Sequence, residues 1–310
     1  MKRLLPVLLL IAVAISGCTE KGPETPEKST DELKTLSVAA AENLSSFAAK
    51  ASMIQTLKLY SKDDSNITIK TDSTETSSSV DLSRQKVHAT GSTKTQVEFA
   101  GQDVGNTSID VEIYLIGNTT YQSDGRGNWT RLVDPRSGDE IWGGGSNNQV
   151  KGMAEIFNLS KSENLGSESV DGEEAYKLKF VAGSEDLVGL YRTAYNIVGS
   201  SIPPYLLPSI NQTELNETEK MEKTIWISKK SFLPLKYQDS ISFSMTPQIV
   251  GVLNMSTGQV DMLPQSVEMG KIDVDIQSNI KYFDFDSPVE IAPPAEALSA
   301  PAQFPGAAQI

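Results

Sequence analysis

The sequence predicts an α+β fold that is dominated by one antiparallel sheet. From Ser52 to about Ile291, most segments are rich in Thr, Val and Ile and alternate apolar with polar residues, which is the pattern of half-buried strands. These strands follow one another without the crossover helices that parallel strands require. We therefore expect a sheet with one face toward a core and the other toward solvent.

The N-terminus predicts a lipoprotein signal. Lys2 and Arg3 precede a short apolar run, and Ser16-Gly17-Cys18 follows it. We expect residues 1–17 to be removed and Cys18, the only cysteine in the chain, to carry lipid. The alternative is a plain signal peptide in which Cys18 is incidental. The lipidated form predicts an extracytoplasmic protein anchored to the outer face of the cytoplasmic membrane, with residues 18–30 as a flexible tether.

A single domain is expected over residues 31–292, and it begins with a helix. Thr30 is the expected cap, and apolar residues follow at helical spacing: Leu33, Leu36, Ala40 and Leu44. Two more helices are expected at 147–158 and 184–198, and the Ala/Pro-rich residues 293–310 are expected to be disordered.

The sequence predicts which residues of two strands face the core and where one turn lies. The residues expected to face the core are Ile109, Val111, Ile113 and Leu115 in one strand and Ile272, Val274 and Ile276 in another. Asp171-Gly172 predicts a tight hairpin turn. The stretch from Tyr114 to Leu132 predicts a meander in which Tyr121 and Trp129 lie on neighbouring strands and pair across them.

Nine of the 14 Asn residues begin an Asn-X-Ser/Thr triplet. Ser and Thr make up 58 of the 310 residues, so chance alone predicts about three such triplets. The excess predicts N-glycosylation. The candidates are Asn66, Asn106, Asn118, Asn128, Asn158, Asn211, Asn216 and Asn254, whereas Asn43 lies within the predicted first helix. Many such sites together with a lipoprotein signal favour an archaeal cell surface.

The residues that usually carry catalysis are scarce. His88 is the only histidine and stands in a polar strand, so it is expected to be solvated. The pairs Asp273/Asp275 and Asp284/Asp286 are expected to lie on a solvated sheet face, with calcium as the less favoured alternative. The net charge of −13 becomes −15 when Lys2 and Arg3 are removed, which argues against a nucleic-acid partner. We expect a protein that is not an enzyme and that needs no cofactor or metal.

The order of three stretches resembles the LolA/LprG-type (LppX-like) lipoprotein superfamily. They are "GNTTYQSDGRGNWTRL", "EKTIWISKKSFLPLKY" and "YFDFDSPVEIAPPAEA". The resemblance implies a strongly curved antiparallel sheet, an open half-barrel, with helices covering its concave face and lipid acyl chains held between. The chain departs from this pattern in its triplets, in the polar loop 209–218 and in "TPQIVGVLNMSTGQVDMLPQ".

The expected function is therefore to bind or carry a lipid or another hydrophobic ligand. The candidate walls of the cavity are residues of the two later helices: Met153, Ile156, Phe157, Leu187, Leu190 and Tyr191. The same spacing also fits side chains that simply fill a core. The alternative functions are a glycosylated cell-surface interaction or sensory module without a ligand, and a passive envelope component.

Overall fold

The structure is a computed structural model that describes residues 28–60, 66–142, 147–181, 206–210, 220–253, 259–268 and 270–303. Its helices are α1 (Thr30–Glu42), α2 (Gly138–Trp142), α3 (Gln149–Leu159) and α4 (Ala295–Leu298). Its strands are β1 (Ser46–Tyr60), β2 (Asn66–Asp81), β3 (Lys86–Phe99), β4 (Gln102–Ile116), β5 (Thr119–Ser123), β6 (Trp129–Val133), β7 (Lys161–Val170), β8 (Glu173–Val181), β9 (Leu206–Ser209), β10 (Lys220–Ser228), β11 (Pro234–Met245), β12 (Gln248–Leu253), β13 (Val260–Glu268), β14 (Ile272–Phe283) and β15 (Ala302–Gln303).

Twelve of these strands form one large curved sheet in the order β15-β6-β5-β4-β3-β2-β1-β14-β11-β10-β8-β7. Every neighbouring pair is antiparallel except β15 with β6. The register shifts between Ala51 and Met53, between Thr74 and Ser77, and between Val97 and Glu98. Such bulges bend and twist a sheet. The predicted fold class, an α+β open half-barrel, is confirmed.

The large sheet has two chemically different faces. In β14, Ile272, Val274 and Ile276 are buried, whereas the alternate residues Asp275 and Gln277 are exposed. The predicted orientation of this strand is therefore confirmed. We call the face that carries Ile272, Val274 and Ile276 the inner face and the opposite one the outer face. Residues directly opposite each other in antiparallel strands share a face, so the register shows which residues of each antiparallel strand lie on the inner face.

Helices α1 and α3 pack together over one end of the inner face. They bury a helix-covered cluster formed by Leu33, Ala41, Leu44, Phe47, Ala49, Val80, Val150, Ala154, Phe157, Tyr176, Leu178, Phe180, Ile225, Ile227, Leu233, Tyr237 and Tyr282. The expected helix over 147–158 is confirmed, with bounds at Gln149 and Leu159. The expected helix over 184–198 lies outside the described residues.

The cap of α1 differs from the prediction. Ser29, and not Thr30, is the N-cap, because its hydroxyl accepts from the backbone of Glu32 while the Glu32 carboxylate accepts from the backbone of Ser29. This reciprocal pair satisfies two amide groups at the helix start, which Thr30 at the first helical position does not do.

A second, three-stranded sheet has the order β13-β12-β9 and was not predicted. Ile249 of β12 and Ile210, which directly follows β9, belong to a second cluster over the other end of the inner face. This second cluster consists of Leu57, Ile210, Phe243, Met245, Ile249, Ile272, Val274 and Ile276. The stretch that departs from the family pattern, "TPQIVGVLNMSTGQVDMLPQ", supplies β12 and the start of β13.

The C-terminal segment is ordered further than expected. We expected disorder from residue 293, but α4 and β15 follow, and β15 pairs with β6. Ala297 and Ala300 are buried, so this segment packs against the domain through small side chains. Its Ala/Pro-rich composition nevertheless resembles that of a disordered tail. Within the described residues, no helix is both long and apolar enough to cross a membrane.

Asp81 organises the turn between β2 and β3. Its Oδ1 accepts from Ser83 Oγ at 2.7 Å and from the Arg84 backbone N–H at 2.9 Å, and its Oδ2 accepts from the Arg84 guanidinium. Burial alone raises the pKa of Asp81, but these hydrogen bonds outweigh it and the pKa is lowered. Arg84 also donates to the Val289 carbonyl, which ties this turn to the C-terminal segment.

We expect Asp81→Asn to lower the free energy of unfolding at pH 7 by about 1–3 kcal/mol. Because the folded pKa is lowered, this stabilisation is present above the unfolded pKa of about 4 and is lost as the pH falls through the folded pKa. Urea denaturation at pH 7 and near pH 3 measures both effects, with the exposed Asp110→Asn as a control that changes little. An equal loss for Asp81→Asn at both pH values would contradict the assignment.

Candidate functional site

The helix-covered end of the inner face is closely packed around Phe157. Phe157 is fully buried and its ring meets that of Phe180 edge to face, with 6.1 Å between the centroids. Met153 and Ile156 are half-buried and pack against the same cluster. Lys34 of α1 fastens α3 by donating to the Ser160 carbonyl at 2.6 Å. The three predicted wall residues on α3 therefore lie in or beside the core, whereas Leu187, Leu190 and Tyr191 lie outside the described residues.

The inner face continues beyond the helices, and there its apolar side chains are open. Met53 is 36% exposed, Phe99 46% and Ile109 53%. Met53 is on the inner face, because it is directly opposite Ser278, which alternates with Ile276 along β14. The register carries this face through β2 to Thr93, which is opposite Ile109, and to Ile67, which is opposite Phe99. The sequence had assigned Ile109 to a core-facing position, but alternation along a strand cannot show whether anything covers that position.

Polar side chains interrupt the inner face between its two apolar clusters. Lys223 of β10, Asp239 of β11 and Ser278 of β14 are directly opposite one another, and we call them the central polar row. Tyr237 Oη and Ser278 Oγ both donate to the Asp239 carboxylate. This row was not predicted from the sequence, although polar residues at inward positions of alternating strands would have indicated it.

The outer face carries polar clefts. One of about 740 Å³ is lined by Thr90, Ser92, Asp110, Glu112 and Ser123 together with glycines of the following turn. That turn packs closely, since a Cβ on Gly125 would lie 2.4 Å from the Asp110 carbonyl oxygen. A second cleft of about 670 Å³ crosses β1, β14, β11 and β10.

His88 takes part in a closed contact network beside the first cleft. Its ring stacks on Tyr114 with 4.3 Å between centroids, and its Nε2 lies 2.9 Å from Glu112 Oε1. Tyr114 Oη donates to the same oxygen, and burial together with this bond raises the pKa of Tyr114 to about 12. Trp129 packs against Tyr114, with 6.0 Å between centroids. The expected pairing of Trp129 with Tyr121 is wrong, because the register places Trp129 opposite Ser123.

The paired acids form structural hydrogen bonds. Asp275 accepts from Ser242 Oγ at 2.6 Å and Asp273 from Ser244 Oγ at 2.5 Å, so both bridge β14 to β11 on the outer face. Asp286 accepts from the backbone N–H and the hydroxyl of Ser45, both at 2.8 Å. In the part of the chain that the structure describes, no three His, Cys, Asp or Glu side chains form a group that could hold a metal ion.

Comparison with known proteins gives one family match and several distant structural likenesses. A family model described as "Family of unknown function (DUF6612)" matches residues 29–300. No curated protein matches the sequence.

Three solved structures are similar over most of the chain. The lipoprotein LppX of Mycobacterium tuberculosis shows 12% identity and a TM-score of 0.37 over 85% of this chain and 98% of that chain. LprF from Mycobacterium bovis shows 13% identity and a TM-score of 0.36 over 86% and 97%. The LolA superfamily protein NE2245 from Nitrosomonas europaea shows 10% identity and a TM-score of 0.20 over 86% and 96%. At such TM-scores these likenesses indicate neither a ligand nor a partner.

Proposed function

The chain belongs to the family of unknown function DUF6612, and we propose that it is a membrane-anchored extracytoplasmic protein that binds a lipid or another hydrophobic ligand on the inner face of its curved sheet. It acts by binding and not by catalysis. The observation that carries the proposal is the open apolar part of the inner face at Met53, Phe99 and Ile109.

The geometry of this surface supports a ligand site. Met53 and Ile109 stand on the same lateral row, with Ser73 and Thr93 between them, and Phe99 lies toward the second cluster, next to Ile67. Half-buried Ile69 and Val97 lie beside Ile67 and Phe99 on the inner face, and half-buried Val111 lies beside Ile109. Covering apolar surface is worth roughly 25 cal/mol per Å², so a hydrocarbon chain laid along these strands gains affinity from each side chain it covers.

The close packing around Phe157 leads us to place the ligand elsewhere on the inner face. We place the site beyond the helices, on β1 to β4, whereas the sequence led us to expect it against Phe157. The same packing favours the second candidate function, an interaction or sensory module without a ligand, should this surface bind no lipid.

We expect Ile109→Ser to weaken binding of a hydrophobic ligand about fivefold, because it removes one apolar contact worth about 1 kcal/mol. Ile54→Ser is the matched control, since Ile54 is 39% exposed in the same sheet but on the outer face. The measurement combines mass spectrometry of organic extracts of the purified protein with titration of the neutral fluorophore N-phenyl-1-naphthylamine. A lipid-free extract and no binding of the fluorophore would refute the proposal.

Anchoring rests on Cys18, which lies outside the described residues. The signal pattern before it and the polar residues 19–28 after it support acylation of its thiol and a tether to the domain. Cys18→Ser is expected to move the protein from the membrane fraction to the soluble fraction of cells, while Ser16→Ala leaves it in the membrane. Retention of Cys18→Ser in the membrane would show that lipid on this thiol is not the anchor.

The described triplets differ in how available their amide nitrogens are. Asn158 is exposed near the end of α3, and Asn106 and Asn128 are exposed, although their amides donate to Asp103 and Asp124. Asn118 is half-buried, and its Nδ2 donates to the carbonyls of Asp134 and Arg136. Asn66 begins β2, whereas Asn211, Asn216 and Asn254 lie outside the described residues.

We expect glycan on Asn158, Asn106 and Asn128 but none on Asn118 when the protein is made by a host that N-glycosylates secreted proteins. A sugar on Asn118 replaces one of the two hydrogens on Nδ2 and so removes at least one of its two hydrogen bonds, which disfavours glycan in the folded structure. Glycopeptide mass spectrometry of the natively folded protein measures the occupancy of each site. Full occupancy of Asn118 would contradict this expectation.

A further inference from the structure

On β11 and β14, the central polar row occupies positions at which the inner face is otherwise lined by aliphatic or aromatic residues. Along β11, Asp239 stands between the inward residues Tyr237 and Ile241. Along β14, Ser278 stands between Ile280 and Ile276. The row thus separates the helix-covered cluster from the second cluster.

The row places charge where water is scarce. Lys223 is only 8% exposed and stands opposite both Phe180 and Asp239 on its two neighbouring strands. Asp239 is half-buried and accepts from Tyr237 Oη, with 3.2 Å between that oxygen and Oδ2, and from Ser278 Oγ. Removing an ionised group from water costs several kcal/mol unless other groups compensate it. An apolar lining would pack here without that cost, and a carboxylate that accepts two hydrogen bonds can accept more, so the row can also receive the donors of a ligand.

The row also reaches the open apolar surface. Ser278 is directly opposite Met53 of β1, and neighbouring strands are about 4.8 Å apart. Asp239 is therefore about 10 Å from the strand that carries Met53. A ligand whose chain covers the open part of β1 to β4 brings its other end to the row.

The geometry points to an amphiphile, and not a pure hydrocarbon, as the ligand. Its acyl chain lies on the open inner face at Met53 and Ile109, and its hydroxyl-bearing head group meets Asp239, Ser278 and Lys223. Hydroxyl groups match this row because they donate to a carboxylate and accept from an ammonium or a hydroxyl. This inference rests on the proposed function, since it assigns the head group of the ligand whose chain that function binds.

Two ligands with the same acyl chain test the inference. Monooleoylglycerol carries two hydroxyls and methyl oleate carries none, and both are measured by displacement of N-phenyl-1-naphthylamine from the whole mature protein. We expect monooleoylglycerol to bind about tenfold more tightly. Asp239→Asn is expected to reduce this preference to about threefold or less. Asp275→Asn, on the outer face, is expected to leave it unchanged.

Lys223→Met repeats the test with a second residue of the row, and Lys236→Met on the outer face is its control. This pair decides the result if Asp239→Asn does not fold, as judged by its thermal unfolding. Loss of the preference in the inner-face variants alone supports the inference.

Other outcomes overturn it in distinguishable ways. Equal binding of the two ligands by the wild-type protein rejects the amphiphile while leaving the hydrophobic site intact. A preference that survives in both inner-face variants rejects the central polar row as the head-group site. No displacement by either ligand and no binding of the fluorophore reject the proposed function, and this inference with it.

Discussion

The two-residue period of the strands is the constraint on which the rest of the structure depends. It places apolar side chains on one face of a twelve-stranded sheet and polar ones on the other, and a slip of one residue in any pair would exchange the two sets. Core packing, the open inner surface and the hydrogen bonds of the outer face all presuppose this register. The bulges in β1 to β4 absorb extra residues without exchanging the faces, and they bend the sheet where its inner side is least covered.

Alternation in the sequence predicted the faces well because it depends only on neighbouring residues. The orientation of Ile272, Val274 and Ile276 follows from it directly. The turn at Asp171 and Gly172 followed instead from the Asp-Gly dipeptide, and both residues have positive φ. The pairing of distant strands does not follow from alternation. Trp129 was therefore placed on a correctly predicted strand but given the wrong ring partner, and β12 and β13 were not recognised as a separate sheet.

The candidate site shows a similar limit. Helical spacing identified Met153, Ile156 and Phe157 as one face of α3, but such a face looks the same whether it lines a cavity or fills a core. The docking of α1, which Lys34 fastens to the end of α3, places Phe157 in the core. The open surface lies instead on strands whose inward residues the sequence had treated as covered. The polar residues Asp239 and Ser278 could not be recognised from the sequence as a group with Lys223, because only the register of the strands places the three side by side.

The pairing of β1 with β14 at the centre of the sheet has a consequence for folding during translation. The first and the last long strands are neighbours, so the sheet remains two separate halves until the ribosome has made almost the entire chain. Contacts between such distant segments make folding slow, and meanwhile the unpaired edges of β1 and β11 invite aggregation. A chain with this topology benefits from being kept unfolded by chaperones during synthesis. Premature termination before residue 272 would leave no native core strand between the halves.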